Sequence, residues 1–226
     1  MIVITFASRK GGSGKSTLAA HLATCAAKPS RPTLLIDTDT QGSLSLWHDL
    51  RGTGEPSLKR NPRSIEDTVK AAKDEGFEYV LIDTPPSKTG VVVDAIRAST
   101  LVIIPARASL FDLSAVRETI DLCRQVRRPY AVVINSAPAK REEAESPIVT
   151  EAREGLQGLK VPVWNGQITN RSFYSLALAQ GQGAREYDAE SLAAEEMNQL
   201  FAAIDRSAKA VKGLISSSTG MHKLAA

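Results

Sequence analysis

Five apolar runs of four to five residues constrain this chain most: Ile2–Phe6, Thr33–Ile36, Tyr79–Ile82, Leu101–Ile104 and Ala131–Ile134. Each is rich in Val, Ile and Leu, and none alternates apolar with polar residues, which is the pattern of central parallel strands buried on both faces. Segments with helical spacing lie between them: Ser16–Ala27, Ser64–Asp74, where Ser64 is an N-cap candidate with Asp67 three residues on, and Asp112–Val126. Strand and helix therefore alternate. That order predicts βαβ units and a single-domain α/β fold, layered helix, sheet, helix around a mostly parallel central sheet. A sixth strand is expected at Val161–Trp164. Arg51–Arg63 and Ala137–Pro147 carry Gly, Pro, Ser and charge and read as surface connections.

At 226 residues the chain can bury one sizeable core. Its last third predicts a helix whose apolar positions, Leu192, Met197, Leu200, Phe201, Ile204, Ala208, Val211 and Ile215, would pack on the sheet. From Ser216 onward the Ser/Thr/Gly-rich run is expected to be unstructured, and the terminal Lys-Leu-Ala-Ala has the look of a vector-encoded scar. The domain is accordingly bounded at 1–215, with 216–226 as a tail. No run approaches the ~18–20 apolar residues of a membrane span, which predicts a soluble, cytoplasmic protein. Two cysteines and three scattered histidines make neither a disulfide framework nor a zinc site. The net charge of +3 is a weak basic bias that suits nucleic acid only where the positive charge is clustered.

Directly after the first strand comes Lys10-Gly11-Gly12-Ser13-Gly14-Lys15-Ser16-Thr17, and a helix opens at once. Glycines let consecutive N–H groups face an anion, and the helix N-terminus adds roughly half a positive charge. The segment is thus a phosphate loop for a nucleotide such as ATP, with Lys15 placed to reach the β- and γ-phosphates and the Ser16 hydroxyl to ligate Mg²⁺. A glycine-rich turn that binds nothing would not need the strand before it, the helix after it and an intact Gly-Lys-Ser-Thr.

The general phosphate-loop pattern has a glycine five residues before Gly14, where this chain has Arg9, followed by Lys10. KGGSGKST instead resembles the deviant Walker A motif of the ParA/MinD superfamily of P-loop ATPases, whose signature lysine corresponds to Lys10. LLIDTDTQGS at Leu34–Ser43 is similar to that family's second aspartate motif and first switch, and VLIDTPPS at Val80–Ser87 to its Walker B strand and second switch. The likeness continues through LVIIPARASLFDLSAV, VINS and ITNRSFYSLALAQGQG to about Ile204. Among subgroups the chain looks most like the small plasmid-partition ParA proteins of the ParF type, which begin at the first strand without a helix-turn-helix. Two departures stand out: Asp39-Thr40-Gln41 replaces the usual Asp-Pro-Gln, and only Pro105 remains of the proline-rich stretch after the fourth strand.

The resemblance implies a weakly active ATPase using ATP and Mg²⁺. ATP would drive a sandwich homodimer that binds DNA without sequence preference, and a ParB-like adaptor would stimulate hydrolysis and release. Such a protein positions a plasmid, a chromosome region or another cargo, on the nucleoid and away from membrane. A MinD-like ATPase held on membrane by Leu200–Ile215 is the alternative; its apolar stripe lacks Trp and continues the helix expected to cover the sheet. A metal-cluster scaffold or metabolic enzyme on the same core would want a cysteine pair or a second substrate motif.

Each candidate residue has a bland reading beside the functional one. Asp83 ends a buried strand, where a carboxylate should face a cation, here Mg²⁺ through water, or else cap the turn before Pro85. Asp37 and Asp39 straddle Thr38 and would point to one side if strand geometry persists. By resemblance Asp39 orients the attacking water and Asp37 sits near the metal, though one of two such acids often only caps the following helix. Lys10 would reach the partner's phosphates in the dimer, and Asn135, at the end of the fifth run, would read adenine unless it simply forms a turn. Arg171 and the series Arg206, Lys209, Lys212 are the DNA-binding candidates, or else a solvated face. Cys25, Cys123, His21, Trp47 and His48 read as packing residues.

Overall fold

The computed structural model describes residues 1–87, 90–142 and 144–223, without the side chains of 110–114 and 215–223. All five expected runs are strands: β1 (Ile2–Phe6), β2 (Thr33–Asp37), β4 (Tyr79–Asp83), β5 (Leu101–Ala106) and β6 (Tyr130–Ile134). The sixth strand of the sheet is instead β3 (Ser57–Arg60), inside the segment expected to be a surface connection. The order is β3-β2-β4-β1-β5-β6, and every pairing is parallel. Ser-Leu-Lys-Arg carries no apolar run because β3 is an edge strand, half exposed, whose charged side chains guard the open edge. Val161–Trp164 makes only an isolated parallel bridge, Val132 to Val163. Pro162 has no N–H to extend a ladder there.

Parallel strands need crossovers, and the helices supply them on both faces. They are α1 (Lys15–Ala26), α2 (Ser43–Arg51), α3 (Ile65–Asp74), α4 (Gly90–Ala98), α5 (Leu110–Gln125), α6 (Pro147–Gly158), α7 (Ser172–Ala179), α8 (Ala184–Tyr187) and α9 (Leu192–Lys223). Ser64 caps α3 as its sequence predicts, its hydroxyl accepting from the Asp67 N–H at 3.1 Å. Along β1 the side chains divide by parity. Ile2, Ile4 and Phe6 join a core built with Leu18 and Leu22 of α1 and Met197, Leu200 and Ile204 of α9. Val3 faces the other side with Ile36, Val80, Ile82, Ile65 of α3 and Ala95 of α4. Helix α9 runs to Lys223, so the segment expected to be unstructured from 216 is helical to that point, and 224–226 lie outside the described residues. Once α9 is nucleated on the sheet, each added residue needs only one further hydrogen bond, and no proline interrupts it.

Candidate nucleotide site

Between β1 and α1 the chain bends over the carboxyl edge of the sheet. Arg9, where a glycine is usual, is tied down by α5: its N–H donates to Thr119 Oγ1 at 3.3 Å and its guanidinium pairs with Glu118 at 3.0 Å. Gly12 (φ 69°) and Gly14 (φ 96°) take the left-handed conformation that favours glycine. Gly14 is required twice over, because a Cβ there would stand 2.1 Å from Asn135 Nδ2. That amide nitrogen donates to the Ser13 carbonyl at 2.7 Å. Gly14 offers α1 no side-chain cap and the first turn holds no acid, so the helix's N–H end is left for an external anion. Ser13 is buried, with no hydrogen-bond partner for its hydroxyl among the described residues. Lys15 is buried as well, and its Nζ donates to the Lys10 carbonyl at 3.4 Å.

The two Ile-Asp-Thr stretches, at 36–38 and 82–84, end β2 and β4 beside this loop. Thr38 Oγ1 donates to the Asp83 carbonyl at 2.7 Å, and Thr84 Oγ1 to the Phe6 carbonyl at 2.8 Å, stitching the three strand ends together. Asp37 accepts from the Asp39 N–H at 3.1 Å, the Ser45 N–H at 2.9 Å and the Ser45 hydroxyl at 2.6 Å. Strand geometry therefore stops at Asp37. The sequence alternative that one of the paired acids holds the following helix describes Asp37, whose carboxylate fastens the first turn of α2. Asp39 is half-buried and accepts from the Gln41 N–H at 3.0 Å.

Asp83 is different. It is fully buried, and among the described residues neither carboxylate oxygen accepts a hydrogen bond. Burial is the main cause that pushes its pKa up to about 7; the charges of Asp37 and Asp39 push the same way, while the Ser16 hydroxyl beside it and the Lys15 charge oppose them. Burial lowers the Lys15 pKa, and Asp83 and Asp39 oppose that shift. Lys15, Ser16, Asp37, Asp39 and Asp83 thus share one electrostatic cluster.

These residues fit a Mg²⁺-nucleotide. The buried, unpartnered Asp83 oxygens and the adjacent Ser16 hydroxyl are hard oxygen donors beside a helix N-terminus. Among the described residues no three His, Cys, Asp or Glu side chains are grouped to hold a metal by themselves. Mg²⁺ does not require that, because it keeps several waters and takes one or two protein oxygens together with phosphates.

The other candidates are spread more widely. Arg171 lies in an ion pair with Glu196 at 3.0 Å, and Glu196 also accepts from Tyr174 OH at 2.6 Å and the Thr169 N–H at 2.9 Å. Arg206, Lys209 and Lys212 are exposed on α9, with Lys209 paired to Asp205 at 2.8 Å. Cys25, Cys123, His21 and Trp47 are buried. His48 Nε2 lies 2.8 Å from the Pro56 carbonyl. One residue had no signal in the sequence: Arg107, whose Nη2 donates to the Gly12 carbonyl at 2.6 Å.

A doubly wound parallel sheet with a phosphate loop opening α1 defines a P-loop nucleotide-binding domain. The chain belongs to the CobQ/CobB/MinD/ParA nucleotide binding domain family, which it matches over residues 4–215. Its relatives include the chromosome-partitioning ATPase Soj of Thermus thermophilus, 29% identical over 154 residues, covering 55% of this chain and 62% of that protein. The maintenance of carboxysome distribution protein A of Gloeobacter kilaueensis is 33% identical over 123 residues, 52% of this chain and 55% of that one. The chain thus spans less than two thirds of the length of these relatives. Similar folds include apo McdA of Cyanothece (TM-score 0.73, 18% identity, 92% of this chain and 99% of that one). MinD of Pyrococcus horikoshii OT3, solved with Mg-ADP, is equally alike (TM-score 0.73, 20% identity, 93% and 98%).

Proposed function

We propose that this chain is a Mg²⁺-dependent ATPase that positions cargo by cycling between an ATP-bound, DNA-bound homodimer and a released form. The observation that carries the reading is the buried Lys15 and the unpartnered Asp83 at the edge of a glycine loop whose helix end is uncapped. The loop N–H groups and Lys15 bind the β- and γ-phosphates. Ser16 and Asp83 would hold Mg²⁺, which neutralises charge on those phosphates when bound. Asp39, free of the helix-fastening role that Asp37 takes, orients the attacking water. Asp37 keeps α2 and the first-switch turn in register with that water. Lys10 acts on the phosphates of a second copy, and Asn135 reads adenine.

Intrinsic turnover is slow, and an adaptor of the ParB kind accelerates it by ordering the switches. Relatives named for chromosome partitioning and carboxysome distribution support a positioning role. The exposed Arg206, Lys209 and Lys212 supply charge for sequence-independent DNA contact, which would place the protein on the nucleoid. Among the described residues no helix is long and apolar enough to cross a membrane. Sedimentation with plasmid DNA and with anionic liposomes, each with and without ATP, tests the proposal: ATP-dependent pelleting with DNA is expected. Pelleting with liposomes alone would replace it with a MinD-like membrane ATPase.

A further inference from the structure

Resting on the nucleotide-site reading above, we propose that Arg107 is a positioning residue of the phosphate loop, holding the Gly12 peptide so that the loop is shaped before nucleotide arrives. The register of β5 and β6 places it there. Ala106 and Ile134 are the last paired residues of those strands, and the Asn135 N–H donates to the Ala106 carbonyl at 2.8 Å. The next residues along, Arg107 and Asn135, therefore leave the sheet edge side by side. They seize consecutive carbonyls of the loop, Arg107 Nη2 that of Gly12 at 2.6 Å and Asn135 Nδ2 that of Ser13 at 2.7 Å. The Ser109 N–H donates to the Arg107 carbonyl at 2.8 Å and fixes the backbone from which the guanidinium reaches.

A carbonyl held from outside turns its peptide plane, and the N–H groups that follow then face the phosphate side. Lys15 donates to the Lys10 carbonyl from within the loop, so side chains hold three loop carbonyls. Arg107 falls where the family's proline-rich stretch is reduced to Pro105. Arg107 is a charged donor that reaches the loop itself. Because the clamp acts on the loop and not on the γ-phosphate, it serves ADP and ATP alike.

The test uses the full chain as wild type, Arg107→Ala and Arg107→Lys. Backbone ¹⁵N order parameters of Gly12 and Ser13 in the nucleotide-free protein should be near the rigid value of about 0.85 in wild type and fall toward about 0.6 in Arg107→Ala. Affinities for ADP and for ATP should both weaken, by about tenfold at most, the scale of one charge-assisted hydrogen bond from an exposed side chain. Melting temperature should stay unchanged, and Arg107→Lys should recover most of the order and affinity. Unaltered order parameters would overturn the proposal. So would a loss confined to ATP, which would make Arg107 a γ-phosphate ligand. A wild type that binds neither nucleotide would remove the site reading, while the order parameters would still decide the clamp.

Discussion

Asp37 and Asp83 are register partners at the ends of adjacent strands, yet among the described residues the Asp37 carboxylate accepts three hydrogen bonds and that of Asp83 accepts none. The same Ile-Asp-Thr sequence has thus been put to two uses. One carboxylate is satisfied by the chain and fastens α2; the other is kept buried and unpaired, a costly state that suits a group whose partner arrives with the substrate.

Asp83→Asn should abolish Mg²⁺-dependent ATP turnover and at the same time stabilise the nucleotide-free protein at alkaline pH. Burial raises the carboxyl from 3.8 to about 7, so the folded chain keeps a proton that the unfolded chain releases. That contribution to stability is full below about pH 4, is lost as pH rises to about 7 and is flat beyond. The gap between variant and wild type should therefore grow across this window, to roughly 4 kcal/mol at most. Denaturant melts at pH 5 and pH 8 check it; a variant less stable than wild type at pH 8 contradicts it.

His21 predicts the opposite slope. Its ring is buried edge-on to Tyr174, 5.2 Å between centroids, and Nδ1 accepts from the Ala184 N–H at 3.0 Å. Burial depresses its pKa from 6.5 to about 4, so stability is undiminished above pH 6.5 and falls as pH drops toward 4, where the unfolded chain takes up a proton the folded one refuses. His21→Gln should remove about 1.4 kcal/mol per pH unit from that slope, measured by denaturant titrations between pH 4.5 and 6.5.

The two loop lysines and Asp39 should separate by phenotype. Lys10→Ala should bind nucleotide but fail to dimerise or turn over, since its proposed target is the partner's phosphates. Asp39→Ala should bind ATP and accumulate as a dimer on size exclusion, its phosphate grip intact and its water unoriented. If Lys10→Ala dimerises and hydrolyses like wild type, the trans role is lost; if Asp39→Ala loses ATP affinity, Asp39 belongs to metal or structural support.

For DNA contact, the structure divides the basic candidates. Alanine at Arg206, Lys209 and Lys212 together should flatten the salt dependence of ATP-dependent DNA binding, whose slope is about −0.9 per phosphate contacted, and leave dimerisation intact. Arg171→Ala should instead lower the melting temperature, because Glu196, which also serves Tyr174 and Thr169, loses its cation. Filter binding across a salt series and thermal melts distinguish the two.

The central strands and the phosphate loop were legible because burial on two faces and phosphate binding each dictate local residue types. Edge strand β3 was not, since Ser-Leu-Lys-Arg obeys the chemistry of an exposed edge and carries no apolar run. Long-range pairings were equally silent. Asn135 lies 122 residues from Ser13 and Arg107 95 from Gly12, and only the strand register brings them together. Sequence alone does not tell Asp37 from Asp39; the fold does, by setting Ser45, eight residues on, against the Asp37 carboxylate. The pairing of Arg171, a DNA-binding candidate in the sequence, with Glu196, 25 residues on, is likewise set by the fold.

The most direct test of the nucleotide site is calorimetric titration of the nucleotide-free protein with Mg-ATP, wild type against Lys15→Ala. Lys15 is the loop's buried charge and the proposed phosphate ligand, so saturable binding of one ATP per chain should occur in wild type and vanish in the variant, with both proteins melting as folded domains. Equal binding by the two, or none by wild type, would contradict the account.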